Sequence, residues 1–210
     1  MKTHSIVIAL MAGIAVFAAG AFAAETNATK KIVTNMLSNG SFEKPISWGK
    51  DWMTPQKEFL SITGNASQGS KCLHMIVPAA QAAREGVVIR SEFVPCEPGG
   101  TYHISCDLKG TAPTVIVFIE AYDPKYISPD HPQGDYRTQA IRLGPSKQWK
   151  TYDDHFRIHN AAHSRAKISK MQVKVFAYLS EGEVWVDNVI LEPAPQESVA
   201  APKPEEKEAP

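Results

Sequence analysis

The sequence predicts an all-β domain whose strands form a sandwich or a barrel. Short segments rich in β-branched and aromatic residues recur along the 210-residue chain, and turn-forming pairs such as Gly64-Asn65 and Gly144-Pro145 separate many of them. Many short strands bounded by glycine and proline are typical of these architectures. The nearest candidates for helix, residues 79–84 and 161–167, are each long enough for a turn or two at most.

Each predicted strand combines β-forming residues with a turn signal at one or both of its ends. The turn at 98–100 precedes one strand, Gly110 and Pro113 separate that strand from the next, and Glu181-Gly182 precedes the last. In chain order, the predicted strands are residues 59–63, 71–77, 86–94, 101–108, 114–122, 149–158, 169–179 and 184–191.

A long connection follows the predicted strand at 114–122. It runs from Asp123 to Arg137, and Pro124, Pro129 and Pro132 stiffen it. Loops of this length inside a compact domain are often functional. The connection is therefore a candidate rim for a binding cleft, with a decorative insertion as the open alternative.

The two ends of the chain differ in composition from its middle. A charged start, an apolar run and the small residues around Phe22 predict a signal peptide at 1–23 and a secreted or periplasmic protein. A transmembrane anchor is the alternative, but the run is short of a ~20-residue span, and we expect no membrane segment after cleavage. Residues 193–210 are mostly Pro, Ala, Glu and Lys, which predicts a disordered tail. A short linker at 24–32 and one domain at 33–192 remain.

The charge balance argues against one class of partner. The chain has 22 basic and 22 acidic residues, so the mature protein is near neutral. Binding of nucleic acid depends on Lys and Arg side chains that neutralise phosphates. The composition therefore predicts no nucleic-acid partner and favours a neutral polymer.

The chain contains Cys72, Cys96 and Cys106. Three cysteines in an exported chain allow one disulfide and leave one thiol. Cys106 shares its strand phase with Ile104 and Leu108 and is expected to face the core. The pairing stays open, and small buried side chains without a bridge are the alternative.

Signatures of catalysis are missing from the sequence. There is no Gly-x-Ser-x-Gly elbow, no His-Glu-x-x-His and no phosphate-binding glycine-rich loop. Asp153 and Asp154 are neighbours in a predicted strand and point to opposite faces, so they cannot act as the opposed carboxylates of a glycosidase. His155, His159 and His163 recur at every fourth residue, but His155 lies in a strand, and we expect solvent-facing histidines there. The sequence predicts that the protein is not an enzyme.

Strand phase sorts the side chains of two predicted strands onto two faces. One row of each strand is apolar and is expected to face the core: Val115, Val117, Ile119 and Ala121, and Met171, Val173, Val175, Ala177 and Leu179. The opposite rows mix aromatic and polar residues: Ile116, Phe118, Glu120 and Tyr122, and Gln172, Lys174, Phe176 and Tyr178. This mixture is the composition of a sugar-binding face, and packing of these rings under a loop is the alternative.

Four short motifs follow one another along the chain. They are Asn39-Gly40-Ser41-Phe42-Glu43, the run from Pro98 to Gly110, Trp149-Lys150-Thr151-Tyr152 and Val186-Asp187-Asn188-Val189-Ile190-Leu191. Together they resemble the carbohydrate-binding modules of families four, nine and twenty-two, over about residues 35 to 192. The resemblance implies a jelly-roll β-sandwich with a galactose-binding-like fold.

The resemblance also implies a structural calcium where the first and last strands meet. The implied ligands are the carboxylates of Glu43 and Asp187 together with carbonyls of Ser41, Gln68 and Lys71. Calcium takes 6 to 8 oxygen ligands at about 2.3 to 2.6 Å and accepts carbonyls beside carboxylates. In the alternative, Glu43 and Asp187 cap turns or pair with lysines.

Sugar binding in modules of this kind uses aromatic rings against pyranose faces, with polar side chains that fix the hydroxyl groups. The candidate ligand-binding residues are Arg90, Phe118, Glu120, Tyr122, Phe176 and Tyr178. Trp48 and Trp52 are rivals, with a role as cover for the open end of the sandwich as their alternative. Trp149 and Trp185 match positions that are structural in the resembling modules.

The sequence therefore predicts a secreted, non-catalytic carbohydrate-binding module with a structural calcium. Its expected partner is a polysaccharide or oligosaccharide, and a separate glycan-active enzyme is a further candidate partner. The alternatives are a structural or adhesion β-sandwich that has lost sugar binding, and an accessory subunit of a glycan-degrading system. A small glycan-active enzyme would require convergent carboxylates that the sequence does not place.

Overall fold

The computed structural model describes residues 34–111, 113–123, 135–144, 146–158 and 168–195, with residues 135–143 described by their backbone. All of them lie in one compact unit that starts at Val33. The predicted signal peptide, the linker, most of the predicted tail and the candidate helix at 161–167 fall outside the described residues, as do His159 and His163.

Strands account for most of the regular structure in the described residues. A short α-helix, α1, spans Ala79–Ala82, and a 3-10 turn spans Lys57–Phe59. The strands are β1 Trp52–Met53, β2 Leu60–Thr63, β3 Cys72–Val77, β4 Val87–Ser91, β5 Val94–Pro95, β6 Thr101–Gly110, β7 Thr114–Asp123, β8 Asp135–Leu143, β9 Lys150–Arg157, β10 Lys170–Tyr178 and β11 Gly182–Pro193.

The described strands pair antiparallel in two sheets. The first sheet has the order β1-β4-β10-β7-β8, with β5 paired to one end of β10. The second sheet has the order β2-β3-β11-β6-β9. Apolar side chains of both sheets form a single core cluster. The fold is a two-sheet β-sandwich, and the predicted fold class is confirmed.

The predicted strands are all present, with their ends displaced by one or two residues. The segment predicted at 86–94 is broken between β4 and β5. Two strands were not predicted, β1 and β8, and β8 occupies part of the region assigned to the long connection. Because β7 extends through Asp123 and β8 begins at Asp135, the connection is shorter than the sequence indicated.

Strand phase identified the core correctly in β7 and β10. The four predicted core residues of β7 and the first four of β10 are buried. Leu179 is the exception, because β10 ends at Tyr178 and Leu179 leaves the strand with a φ of 70°. Its side chain is 65% exposed, so its assignment to the core row was wrong.

Cys72, Cys96 and Cys106 are buried and free. The open question of pairing is thus answered by the alternative without a bridge, and Cys106 lies in the core as predicted. Burial raises the pKa of Cys96 to about 11 and that of Cys106 to about 12, from an ordinary 9.0.

The segment before β1 packs along the last strand. The Met36 N–H donates to the Leu191 carbonyl over 2.8 Å, and the Asn35 amide bonds both the Val189 carbonyl and the Leu191 N–H. Gly40 accepts a 2.8 Å bond from the Val189 N–H, and a Cβ atom at Gly40 would lie 2.1 Å from the Val189 carbonyl oxygen. The first and last motifs of the sequence therefore meet, and the contact requires glycine at position 40.

Candidate functional site

The outer face of the first sheet carries the side chains of β4, β7 and β10 that alternate with the core rows. Lys174 of β10 lies in register between Arg90 of β4 and Phe118 of β7, and Gln172 pairs with Glu120. This register places all of the predicted ligand-binding residues on one face: Arg90, Phe118, Glu120, Tyr122, Phe176 and Tyr178.

A charged network lies at the centre of the outer face. Glu120, whose side chain is 6% exposed, accepts bonds from Lys174 Nζ at 2.6 Å and from Arg90 Nε at 3.3 Å. Gln172 Nε2 donates to the same carboxylate over 2.8 Å, and the Tyr122 hydroxyl donates over 3.1 Å. Four donors on three strands thus share one carboxylate, which fixes the side chains around it.

The network sets the ionisation of its members. Burial alone would raise the pKa of Glu120, but the hydrogen bond and charge of Lys174, followed by Arg90 and Gln172, lower it below the ordinary value of 4.5. Burial, then the charge of Glu120, raises the pKa of Tyr122 from 10.0 to about 12. At neutral pH Glu120 is therefore a carboxylate and Tyr122 a neutral hydroxyl donor.

Aromatic rings lie beside the network. Phe176 stacks on Tyr178 with ring centroids 4.6 Å apart, and Phe118 lies 6.4 Å from Phe176. The Lys174 ammonium sits 4.2 Å from the centroid of Phe118. These half-buried rings give the outer face an apolar surface next to charged groups.

Two depressions open on the outer face, with Arg90 in the lining of both. The Tyr122 depression has a volume of about 400 Å³ and is lined also by Met53, Thr54, Pro55, Phe93, Tyr122 and Gln172. The Phe176 depression has a volume of about 250 Å³ and is lined also by Glu85, Val88, Phe118, Lys174 and Phe176. Arg90 therefore borders both of these depressions on the outer face.

Strand phase placed Gln172 and Lys174 on this face, but the sequence did not assign them to the site. Their alternation with Phe176 and Tyr178 was the signal that could have identified them. Phe93 carries no such signal, because it lies in the break between β4 and β5. Its ring meets Tyr122 edge-on at 5.3 Å.

The rival tryptophans lie elsewhere. Trp52 is fully buried against Phe42, with ring centroids 5.1 Å apart, and its indole N–H donates to the Asn39 carbonyl. A ring with no exposed surface cannot stack on a sugar, so Trp52 was wrong as a rival site. Trp48 packs partly against the core and lies beneath the Lys57 ammonium at 5.6 Å.

Four of the five predicted calcium ligands, Glu43, Gln68, Lys71 and Asp187, meet at the 67–71 loop. Both oxygens of Glu43 accept bonds within this loop, from the Ser70 and Lys71 N–H groups and the Ser70 hydroxyl, at 2.7 to 2.9 Å. These bonds, from the Ser70 hydroxyl first and then the N–H groups, lower the pKa of Glu43. A Cβ at Gly69 would lie 2.3 Å from the Glu43 carboxylate, so the loop closes tightly around it.

Asp187 holds the start of the same loop. Its Oδ2 accepts from the N–H groups of Ser67 and Gln68 at 2.9 and 3.1 Å, and its Oδ1 accepts from the Asn188 N–H at 2.7 Å. Asp187 has no exposed surface. The turn-capping role that the sequence left open for these two carboxylates is therefore present.

Asp107 is a buried neighbour that the sequence did not single out. It lies directly opposite Asp187 in the pairing of β6 with β11. The Ser67 hydroxyl lies 2.6 Å from Asp107 Oδ2 and 2.9 Å from Asp187 Oδ2. A hydroxyl has one proton and donates to one of them at a time.

Oxygen atoms of the kind that ligate calcium are present here, but the carboxylate oxygens already accept hydrogen bonds from the loop. Within the described ranges, no group of three or more His, Cys, Asp or Glu side chains is arranged to hold a metal ion. A calcium ion would use hydroxyl and main-chain oxygens beside the carboxylates and would replace some of the bonds from the loop.

His155 lies exposed on β9 of the second sheet, as expected, and stacks on His103 with centroids 4.7 Å apart. Asp153 is exposed on the same strand and lies 3.8 Å from His103. Over the residues that the structure describes, no helix has the length and apolar character to span a bilayer.

No family model matches the chain, and no curated protein matches it in sequence. Solved structures do match in three dimensions. A family 4 carbohydrate-binding module is 15% identical with a TM-score of 0.51, over 75% of this chain and 99% of that one. The CBM22-1 xylan-binding domain of Xyn10C from Paenibacillus barcinonensis is 16% identical with a TM-score of 0.50, over 77% and 95%.

A third match is the enzymatically active domain of tailspike protein 4 from bacteriophage CBA120. It is 16% identical with a TM-score of 0.52, over 76% of this chain and 21% of that chain. At these identities the comparisons establish the fold. The chain has the β-sandwich fold of carbohydrate-binding modules of the family four and twenty-two type, and the resemblance read from the sequence is confirmed at that level.

Proposed function

We propose that the protein is a secreted, non-catalytic carbohydrate-binding protein whose outer face of the first sheet binds a polysaccharide or oligosaccharide. The observation that carries the proposal is the combination on that face of three half-buried aromatic rings with a fixed polar network. Rings offer apolar faces to pyranoses, and fixed polar groups orient hydroxyls.

The neighbouring folds support this proposal. The two module matches cover nearly the whole of the neighbour's chain, so the shared fold is that of a complete module. The competing adhesion role would be favoured by a face without aligned aromatics, whereas Phe118, Phe176 and Tyr178 are aligned in adjacent strands.

Binding is tested by affinity electrophoresis against a panel of soluble polysaccharides. Truncation of an aromatic hot spot costs about 2 kcal/mol or more, which is roughly a thirtyfold loss of affinity. Tyr178→Ala should weaken retention by about that factor through loss of its ring face. Tyr122→Ala should do so as well, although only 8% of Tyr122 is exposed, because its ring lines the larger depression and its hydroxyl holds Glu120. Trp185→Ala is the matched control, because Trp185 lies on β11 of the other sheet and stacks on His74.

Three outcomes decide the proposal. Loss of retention in the two tyrosine variants, with normal retention of Trp185→Ala, supports it. Full retention of both tyrosine variants moves the site off the outer face. Absence of retention of the wild-type protein on every glycan replaces sugar binding with the adhesion role.

Mass spectrometry of exported protein tests secretion. The expected N-terminus lies near Ala24.

We propose in addition that calcium binds where Glu43 and Asp187 meet the 67–71 loop, as the resemblance implies. The convergence of both carboxylates on one loop supports this proposal. The bound ion would join the first motif of the sequence to the last one. It would do so through Glu43 and Asp187.

The calcium site is tested by thermal melting of chelator-treated protein with calcium, with magnesium and with neither. Binding to the native state alone adds about 2.7 kcal/mol at a hundredfold excess over Kd, which corresponds to roughly 5 to 10 °C for a domain of this size. Calcium should raise the Tm of the wild type and leave that of Glu43→Gln unchanged. If the wild type melts alike in all three conditions, the loop's own hydrogen bonds suffice and the site does not exist.

A further inference from the structure

The Arg90 guanidinium uses one of its three nitrogens to bind Glu120. Its Nε donates to Glu120, and its side chain is 33% exposed. In the described part of the chain, neither terminal nitrogen of the guanidinium has a hydrogen bond or an ion pair. The guanidinium presents its remaining donors at the border of the Tyr122 and Phe176 depressions.

Among the described side chains of the outer face, positive charges outnumber negative ones around this group. Arg90 and Lys174 share the single carboxylate of Glu120, so two cations meet one anion. Lys170 adds a further cation, 4.1 Å from the ring of Phe93 and 5.9 Å from that of Tyr122. Glu85 borders the Phe176 depression but forms no ion pair with Arg90 or Lys174 among the described residues.

A neutral sugar would leave this charge unbalanced. A hydroxyl group accepts one bond from a guanidinium, whereas a carboxylate accepts two parallel bonds from its planar fork. The Glu120 carboxylate cannot supply the second partner, because four donors already occupy it. The free fork therefore matches an anionic group on the ligand.

We propose that the outer face recognises an acidic glycan and that Arg90 binds the carboxylate of a uronic acid residue. The inference rests on the proposed carbohydrate-binding function and gives its substrate class. In this binding mode, the carboxylate of the uronic acid lies between the two depressions. The sugar ring on one side of it packs against Phe93 and Tyr122, and the ring on the other side packs against Phe118 and Phe176.

The test uses uronic acid polysaccharides, each paired with its carboxyl-reduced form. Polygalacturonate, alginate and glucuronoxylan have different linkages, and reduction of the carboxyl group to a primary alcohol keeps each linkage while removing the charge. Affinity electrophoresis at two salt concentrations gives the affinity of the wild type for each member of a pair. We expect at least one acidic form to be retained about tenfold more strongly than its reduced form.

Variants at Arg90 separate recognition by the fork from attraction by charge. Arg90→Lys keeps the charge but loses the fork, and Arg90→Met loses both while Lys174, Gln172 and Tyr122 still hold Glu120. Both variants should reduce retention on the acidic polymer to the level of its reduced form. Lys147→Met is the control, because it removes one exposed positive charge next to β9 of the other sheet.

The remaining outcomes each overturn a different statement. Equal retention of acidic and reduced polymers, or retention of neutral glycans alone, overturns the acidic-glycan inference and leaves sugar binding intact. Binding of dextran sulfate as tight as that of the uronates, unchanged in Arg90→Lys, shows general polyanion binding and also overturns it. Failure to bind any polysaccharide overturns the proposed function together with the inference.

Discussion

Two buried aspartates face each other across β6 and β11, and their surroundings differ. Asp187 accepts mainly from backbone N–H groups, which are fixed donors. Asp107 accepts from the hydroxyls of Ser67 and Thr151, at 2.6 Å in both cases. A hydroxyl can rotate and accept a bond instead, so Asp107 is the member of the pair that tolerates the loss of its charge.

We expect Asp107→Asn to stabilise the fold. The change removes a like-charge pair directly across two strands, and the new amide can donate to Ser67 or Thr151. The gain should be about 0.5 to 1 kcal/mol in the free energy of unfolding, measured by urea denaturation at pH 7. Asp187→Asn is the matched comparison and should destabilise the fold, since its amide would face fixed N–H donors.

A loss of stability in Asp107→Asn similar to that of Asp187→Asn would contradict this account. It would mean that the negative charge of Asp107 is needed, as it would be if a cation lay between the two carboxylates. The same variant therefore bears on the calcium proposal.

At this scale the sequence identified the rows of side chains but not their bonds. Phase alone predicted that Phe118 and Tyr178 share a face. It could not show that Arg90 and Lys174 share Glu120, because that depends on the register between three strands. Nor could it show the role of Asp107, whose partners come from distant parts of the chain.

The elements that the sequence missed lacked a periodic signal. β1 has two residues, which is too short for any alternation to be recognised. β8 reads Asp-Tyr-Arg-Thr-Gln-Ala-Ile-Arg-Leu and forms an edge of the first sheet, where polar residues are common. The long strands β7 and β10 were predicted because each has one uninterrupted apolar row.

Gly40→Ala should weaken the contact between the first segment and β11. A methyl group at this position would lie 2.1 Å from the Val189 carbonyl oxygen, so the segment must move away from the strand. We expect a loss of about 1 to 3 kcal/mol, which is the usual cost of overpacking, and a Tm lower by several degrees.

Gly49→Ala and Gly64→Ala are the informative comparisons. A Cβ atom at Gly64 would lie 3.8 Å from the Ser70 carbonyl oxygen, so an alanine there meets no clash. A Cβ atom at Gly49 would meet no neighbour, but the φ of Gly49 is 84°, which an alanine adopts only under strain. The Gly49→Ala variant therefore measures the cost of backbone strain without a clash. A Gly40→Ala variant as stable as Gly64→Ala would show that the first segment does not pack as described.

Across the whole molecule, formal neutrality conceals a local charge. The 22 basic and 22 acidic residues balance, and this balance was interpreted as favouring a neutral polymer. Among the described side chains of the outer face, however, Arg90, Lys174 and Lys170 outnumber Glu120 and Glu85. The net charge is a sum over the whole chain, whereas a ligand contacts the side chains of one face.

Two buried thiols of the core and the Tyr122 hydroxyl of the outer face predict a loss of stability at alkaline pH. The pKa of Cys96 is raised to about 11, and those of Cys106 and Tyr122 to about 12, so these groups stay protonated in the folded protein after their unfolded counterparts ionise near 9 to 10. The unfolded state then binds fewer protons, and the stability from these groups, complete below pH 9, falls as pH rises toward 12.

Urea midpoints measured at intervals from pH 8 to 11 test this dependence. Cys106→Ala should be less stable at pH 8 but should lose stability less steeply with pH than the wild type. Parallel curves for the two proteins would show that Cys106 is not shielded from solvent.

The pairing of the first segment with the last strand also determines how the domain bears tension. A force that separates Asn35 from Pro193 acts first on the bonds of Met36 and Asn35 to Leu191 and Val189 and on the bond between Gly40 and Val189. These bonds lie side by side between the same two segments. A force that pulls on the two ends of the domain would therefore strain the bonds between residues 35–40 and β11 first. Strands β4, β7 and β10, which carry the outer face, lie outside the direct path of this force.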